Sequence, residues 1–398
     1  MNAALLLTLV ASSCAPQAVD TTLIVAEDPE LGALASSVIS EVSERSGMSL
    51  NRPVRVARRS RAALESYLNA KLEKDLPEEK ADQITAVYSL LGQAPADLDL
   101  RSLLASVYGE QVVGFYEPDS TALFVVDDQP PETLEPILVH ELVHAIQDQN
   151  ESLNGLTDEG RGNDAQVAAQ AAIEGHATLV MMEWMFSKMG GQEVAFEDLP
   201  DFGGMVAPLL ETVRTQYPAL AQAPRVVQEG LLYPYLEGAG YVLEVWKSDE
   251  GRPSPIGEYL PGSTEQVSDP LKRLGTPVDA PVRIEFQGSD VVYQNNLGWA
   301  EFRIVLEEWG GTSEDRDFAD GWAGDQFALY GTKGEWSLRW VTLWDDLAAR
   351  DRLAAALSQM SGLPSGAVVK VGTYEDAPAL ELLLGAPPID ALQTLPPV

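Results

Sequence analysis

Residues 140–150 read His140-Glu141-Leu142-Val143-His144-Ala145-Ile146-Gln147-Asp148-Gln149-Asn150 and hold two of the three histidines in the 398-residue chain. An α-helix turns about 100° per residue, so His140 and His144 stand about 40° apart and aim at one centre, while Glu141 lies about 100° round. Two imidazoles at this spacing suit zinc, which takes nitrogen at about 2.0 to 2.1 Å and leaves one position open for water. Glu141 is then placed for acid–base work.

Tetrahedral zinc needs a third protein ligand, and the stretch Ala171-Ala172-Ile173-Glu174-Gly175-His176-Ala177-Thr178-Leu179-Val180 offers two. Glu174 and His176 are two positions apart, about 200° on a helix, so both cannot face one ion. Glu174 makes a His₂Glu set and His176 an all-histidine set; residue chemistry alone leaves both open.

Further blocks accompany these motifs: Gly114-Phe115-Tyr116-Glu117-Pro118 ahead of them, and Tyr233-Pro234-Tyr235-x-x-Gly238, Ser263-Thr264-Glu265-Gln266-Val267 and Gly321-Trp322-x-Gly324-Asp325 after them. In this order, over residues 90–345, the chain resembles a family of bacterial secreted or lipid-anchored proteins carrying an HExxH zinc-metallopeptidase domain of the gluzincin-like zincin type. The resemblance implies that Glu174 is the third ligand, because the position held here by His176 is usually acidic in that family and binds no metal. It also implies that the strand leading toward the active-site helix edges the cleft and pairs with extended peptide substrate. Where the family usually has a His-Pro pair, this chain has Asp269-Pro270.

With 61 acidic against 26 basic residues the net charge is −35, which argues against nucleic acid and against acidic membranes as partners. The one basic cluster, Arg52, Arg55, Arg58, Arg59 and Arg61, reads as a solvated strand edge running into a helix. Cys14, the only cysteine, closes an apolar start and follows Ala11-Ser12-Ser13, which resembles a lipobox. The protein is therefore expected outside the cytoplasm, touching a membrane only through a lipid on Cys14, with a secreted form as the alternative. No disulfide can form within such a chain.

Periodicity places helices at 30–45, 61–72, 78–91 and 98–108, a hairpin of 111–116 and 122–126 turning at Glu117-Pro118-Asp119-Ser120, and the HExxH helix from 131 or 132 to 149. Residues 150–163 read as a lid or connecting loop, with Asp164 capping a helix that runs to Met189 and carries a soft patch of Met181, Met182, Trp184, Met185, Phe186 and Met189, best read as core. Helices follow near 204–214 and 229–246. Beyond the Pro/Gly-rich stretch 251–262 the pattern turns to strands at 282–286, 291–293, 327–330, 336–344 and 368–371, helices at 298–309 and 345–360, and a Pro-rich tail at 387–398.

The expected fold class is α+β: a signal segment at 1–14, a mostly helical zincin-like catalytic domain with a small mixed sheet at 22–275, and a C-terminal α+β module at 276–398. The expected activity is zinc-dependent hydrolysis of peptide bonds in a peptide or protein substrate, with His140, His144 and Glu174 holding Zn²⁺ and Glu141 as catalytic base. Tyr233, Tyr235 and His176 are available to stabilise the oxyanion, and Asp148 or Thr178 to orient a ligand. A non-catalytic zincin acting as an envelope scaffold and a zinc hydrolase of non-peptide amides are the rival readings.

Overall fold

Asp28 starts the first long helix, α1 (Pro29–Ser46), by accepting hydrogen bonds from the backbone of Glu30 and Leu31 at 2.9 and 3.2 Å, and Gly47 ends it at φ 67°. Leu31, Ala35, Val38, Ile39 and Val42 recur at helical spacing and are buried. The structure is a computed structural model describing residues 23–156, 158–190, 195–198, 217–311, 319–389 and 391–395. Cys14, the linker at 15–21 and the helix expected at 204–214 lie outside the described residues.

Strands β1 (Ile24–Ala26) and β2 (Val54–Arg59) flank α1 in sequence and pair in parallel. Helices α2 (Arg61–Asp75), α3 (Glu78–Leu90) and α4 (Leu100–Gln111) then lead to β3 (Gly114–Glu117), which turns through Pro118–Ser120 into β4 (Ala122–Val126) as the pattern predicts. The sheet order is β1-β2-β4-β3, mixed in direction, with β3 on an edge. The basic cluster is a correction, since β2 is interior and not an edge. Three of its five arginines are paired locally: Arg55 with Glu27, Arg58 with Asp28 at 2.6 Å and Arg61 with Asp128 at 2.9 Å.

The HExxH helix, α5 (Pro131–Asn150), starts with proline at its first position, where the missing N–H costs nothing. From Leu134 to Gln147 nearly every side chain is buried, so this helix lies inside the core rather than on a surface. It packs against α1, against β3 and β4, and against the long helix α7 (Asn163–Gly190). The intervening stretch expected as a loop contains a short helix, α6 (Leu153–Leu156), and a 3₁₀ turn at Glu159–Arg161.

Two expectations for α7 are corrected. Asp164 sits within the first turn rather than capping it, and its Oδ1 accepts from the backbone and hydroxyl of Thr264 at 2.8 and 2.5 Å. The Met and aromatic patch divides: Met182 and Trp184 are buried, whereas Met185, Phe186 and Met189 are exposed. After α8 (Pro218–Gln222), α9 (Arg225–Ser248) lies along α7 in the most extensive helix pairing of the described chain. Ala171, Gly175 and Gly238 leave no side-chain bulk at this crossing.

The helices α10 (Thr264–Ser268) and α11 (Pro270–Leu274) carry the Ser-Thr-Glu-Gln block and tie α7 to the last third. There β5 (Arg283–Gln287), β6 (Val291–Asn295), α12 (Gly298–Glu308), β7 (Trp322–Thr332), β8 (Glu335–Trp344), α13 (Leu347–Leu357), β9 (Val368–Tyr374), β10 (Ala377–Leu384) and β11 (Ala391–Leu395) follow in order. In an antiparallel sheet of order β6-β7-β8-β10-β9, side chains of β7 and β8 alternate between two faces. Phe327, Leu329, Leu338 and Trp340 face α12 and α3, while Ala328, Tyr330, Val341 and Leu343 face the β5–β11 ribbon. The Pro-rich tail is thus partly a strand, because Ala391–Leu395 finds the free edge of β5. The chain is α+β, and no helix among the described residues is long and apolar enough to cross a membrane.

Candidate metal centre

The α5–α7 contact brings His140, His144 and Glu174 together. Glu174 Oε2 lies 3.3 Å from His140 Nε2 and 3.4 Å from His144 Nε2, and the two imidazole nitrogens are 3.1 Å apart. Ligand atoms at about 2.05 Å from a tetrahedral zinc are about 3.3 Å from one another, so the triangle has the size of a zinc face. Glu174 Oε2 is buried and accepts no hydrogen bond of good geometry. A buried carboxylate oxygen left this way is costly unless a cation meets it, and the donor set of two imidazoles and one carboxylate fits zinc.

The electrostatics point the same way. Burial pushes Glu174 up, but the imidazoles of His144 and His140 outweigh it and hold the carboxyl well below the usual carboxylate range. Burial likewise pushes His144 down, and the carboxylates of Glu174 and Glu141 reverse the shift to about 9. The pocket therefore favours one positive charge among these side chains, which a proton or a metal ion can supply.

Glu141 lies about 100° round α5 from His140, on the side of β3, and burial pushes its carboxyl up against the pull of the His144 and His140 imidazoles. It takes a backbone hydrogen bond from Tyr116 on β3. Gly114 makes this approach achievable: a β-carbon there would stand 2.5 Å from Ile137 Cγ2 and 3.4 Å from Glu141 Cγ. The Gly-Phe-Tyr-Glu-Pro block is thus the strand against which the HExxH helix lies.

His176 is fully buried and points away from the cluster, as its 200° offset from Glu174 requires. Its Nε2 donates to Ser46 O at 3.1 Å, Trp246 packs edge-on at 5.7 Å, and burial pushes its imidazole down to about 4. His176 therefore neither completes an all-histidine set nor reaches a substrate. Tyr233 is also excluded as an oxyanion donor, because its hydroxyl is committed to Thr264 O at 2.7 Å and Ser268 Oγ at 3.0 Å. Tyr235, one turn-side over on α9, stacks on His140 with ring centres 6.4 Å apart and is 39% exposed. The negative charge of Glu174 pushes its phenol well above the ordinary value, so it stays a proton donor.

The expected orienting residues are corrected. Asp148 accepts from Tyr116 Oη at 2.9 Å, and Thr178 Oγ1 is buried without a partner. The side chain that holds His144 is Gln147, whose Oε1 lies 2.8 Å from His144 Nδ1. Its position three residues after His144, on the same helix face, was the available sign.

Of the remaining blocks, Ser-Thr-Glu-Gln braces α7 and Gly321–Asp325 braces the start of α12. Asp164 joins α7 to Thr264, whose hydroxyl also accepts from Ala300 N at 3.0 Å; Asp325 accepts from Leu297 N, Gly298 N and Trp340 Nε1 at 2.9, 2.9 and 2.8 Å. Asp269 caps α11 through Leu271 N at 3.2 Å. A cavity of about 780 Å³ between α2–α4 and the β7–β8 turn includes none of the metal-cluster residues. No family model matches the chain, and neither a curated protein nor a solved structure shows significant similarity to it.

Proposed function

We propose that the protein is a zinc-dependent metallopeptidase of zincin-like fold that acts outside the cytoplasm, anchored through Cys14. The observation that carries this reading is the triangle of His140 Nε2, His144 Nε2 and Glu174 Oε2, with Glu141 next in sequence to its first ligand. Zinc held by these three residues supplies Lewis acidity and makes water a nucleophile at neutral pH.

The protein's own groups divide the remaining work. Glu141 accepts the proton from the attacking water on its carboxylate and returns it to the leaving amine. The raised affinity of that carboxyl for a proton suits both transfers. Tyr235 Oη donates a hydrogen bond to the carbonyl oxygen as negative charge develops on it. Apart from the Tyr116 N–H that Glu141 holds, the outer edge of β3 offers main-chain groups to an extended peptide, so recognition along the backbone is largely independent of side chains.

The test is cleavage of a peptide and protein panel by zinc-loaded protein, with Glu141→Gln beside it. The expected result is metal-dependent cleavage that falls by at least about 10²-fold in the variant while its zinc content stays at the wild-type level. Equal rates in the two proteins would remove Glu141 from the mechanism, and no cleavage by wild type would remove the peptidase reading.

A further inference from the structure

Gln147 is fully buried between His144 and His176. The network it belongs to ends on two backbone carbonyls, Ile173 O and Ser46 O, and a carbonyl oxygen can only accept. That fixes the protons between them. Ile173 O, 2.9 Å from Gln147 Nε2, requires an N–H there, so the amide nitrogen faces Ile173 and His176 while the amide oxygen faces His144.

Ser46 O, 3.1 Å from His176 Nε2, likewise requires the proton of the neutral ring on that nitrogen. His176 Nδ1 then carries a lone pair and accepts the second amide proton of Gln147 at 3.2 Å. Gln147 Oε1 can only accept, so its 2.8 Å contact places a proton on His144 Nδ1. A flipped amide would set oxygen against oxygen at Ile173 and lone pair against lone pair at His176.

We propose that Gln147 and His176 are positioning residues of the metal centre, forming a one-way chain of hydrogen bonds that keeps a proton on His144 Nδ1 and presents Nε2 as the ligand atom. The identity of the ion rests on the metallopeptidase reading above; the proton arrangement does not. Groups that orient a ligating imidazole in this way typically change metal affinity by about 10–100-fold when removed. The role also explains a fully buried histidine that touches neither the ion nor a substrate.

The test uses the full-length protein labelled with ¹⁵N in its histidines alone. Because His140, His144 and His176 are the only three, each ring N–H can be assigned by single substitution. Metal-free wild type is expected to show downfield, slowly exchanging N–H protons on His144 Nδ1 and His176 Nε2. In Gln147→Met, of similar shape but without the amide, the His144 signal should move upfield and exchange fast.

Zinc titration against a competing chromophoric chelator should then show about 10–100-fold weaker binding by Gln147→Met at unchanged circular dichroism. His176→Phe should shift the same way by less, because Ile173 still holds the amide. An unchanged His144 N–H in folded Gln147→Met, or equal zinc affinity in wild type and both variants, overturns the proposal. If Gln147→Met does not fold, His176→Phe decides through zinc affinity, and wild-type affinity there counts against the chain. If wild type takes up no zinc, the metallopeptidase reading fails, and the N–H signals alone decide whether the hydrogen-bond chain exists.

Discussion

Gly175 and Gly238 meet backbone to backbone where α7 crosses α9: a β-carbon on Gly175 would overlap the carbonyl of Gly238, and one on Gly238 would overlap that of Ala171. Glu174 is the immediate neighbour of the first glycine, and Tyr235 lies three residues before the second. The closeness of the two helices therefore sets how near the phenol stands to the metal cluster. Gly238→Ala is expected to force the helices apart, costing about 1–3 kcal/mol by overpacking and weakening zinc binding. Urea unfolding and zinc titration check the two effects; a variant of wild-type stability would mean the crossing tolerates a methyl group.

Tyr235 is the tyrosine left free to act, since Tyr233 is tied to Thr264 and Ser268. Tyr235→Phe keeps the ring against His140 and removes only the hydroxyl. It should leave zinc affinity unchanged and lower kcat by about 10²–10³-fold, the scale for losing one oxyanion donor. Steady-state kinetics with a fluorogenic peptide read this directly, and a raised KM at constant kcat would assign the hydroxyl to substrate binding instead.

Three carboxyls away from the metal centre give the protein a pH dependence of its own. Burial pushes Asp164 up to about 7, Glu301 up to about 7 and Asp325 up to about 6, against the hydrogen bonds each accepts. Below about pH 4 these groups are protonated in both folded and unfolded chains, and their contribution to stability is fully present. As pH rises toward 7, the unfolded chain releases protons that the folded one retains, so stability falls through this window. Asp164→Asn keeps an acceptor for Thr264 without the titration. Its urea midpoint should fall less than that of wild type between pH 5 and pH 8; parallel falls would show that Asp164 does not titrate in this range.

The helix bearing His140, Glu141 and His144 was legible because the spacing that puts two imidazoles on one helix face is local. Residue chemistry left Glu174 as one of two and the family resemblance favoured it; the placement of His176 against Ser46 and Trp246 keeps the rival out of the cluster. Gln147 escaped notice because its role depends on Ile173 and His176, residues 26 and 29 positions away. Gly238 was visible only as the end of the Tyr233-Pro234-Tyr235-x-x-Gly238 block, because its part is to lack a side chain where Ala171 arrives from another helix. Residues 377–384 form β10 although Ala-Pro-Ala-Leu-Glu-Leu-Leu-Leu shows no alternation; its flanking strands β8 and β9 impose the extended form. Likewise the strand at 391–395 exists through its partner β5.

The central claim is that His140, His144 and Glu174 form one metal site, and zinc stoichiometry tests it most directly. Purified wild type should bind about one zinc per chain. His140→Ala, His144→Ala and Glu174→Ala should each lose affinity by orders of magnitude, with circular dichroism confirming that they remain folded. His176→Ala should still bind close to one zinc at saturation, with the smaller loss of affinity that follows from loosening Gln147. Equal zinc binding by wild type and the three ligand variants, or loss of zinc in His176→Ala alone, would contradict the account.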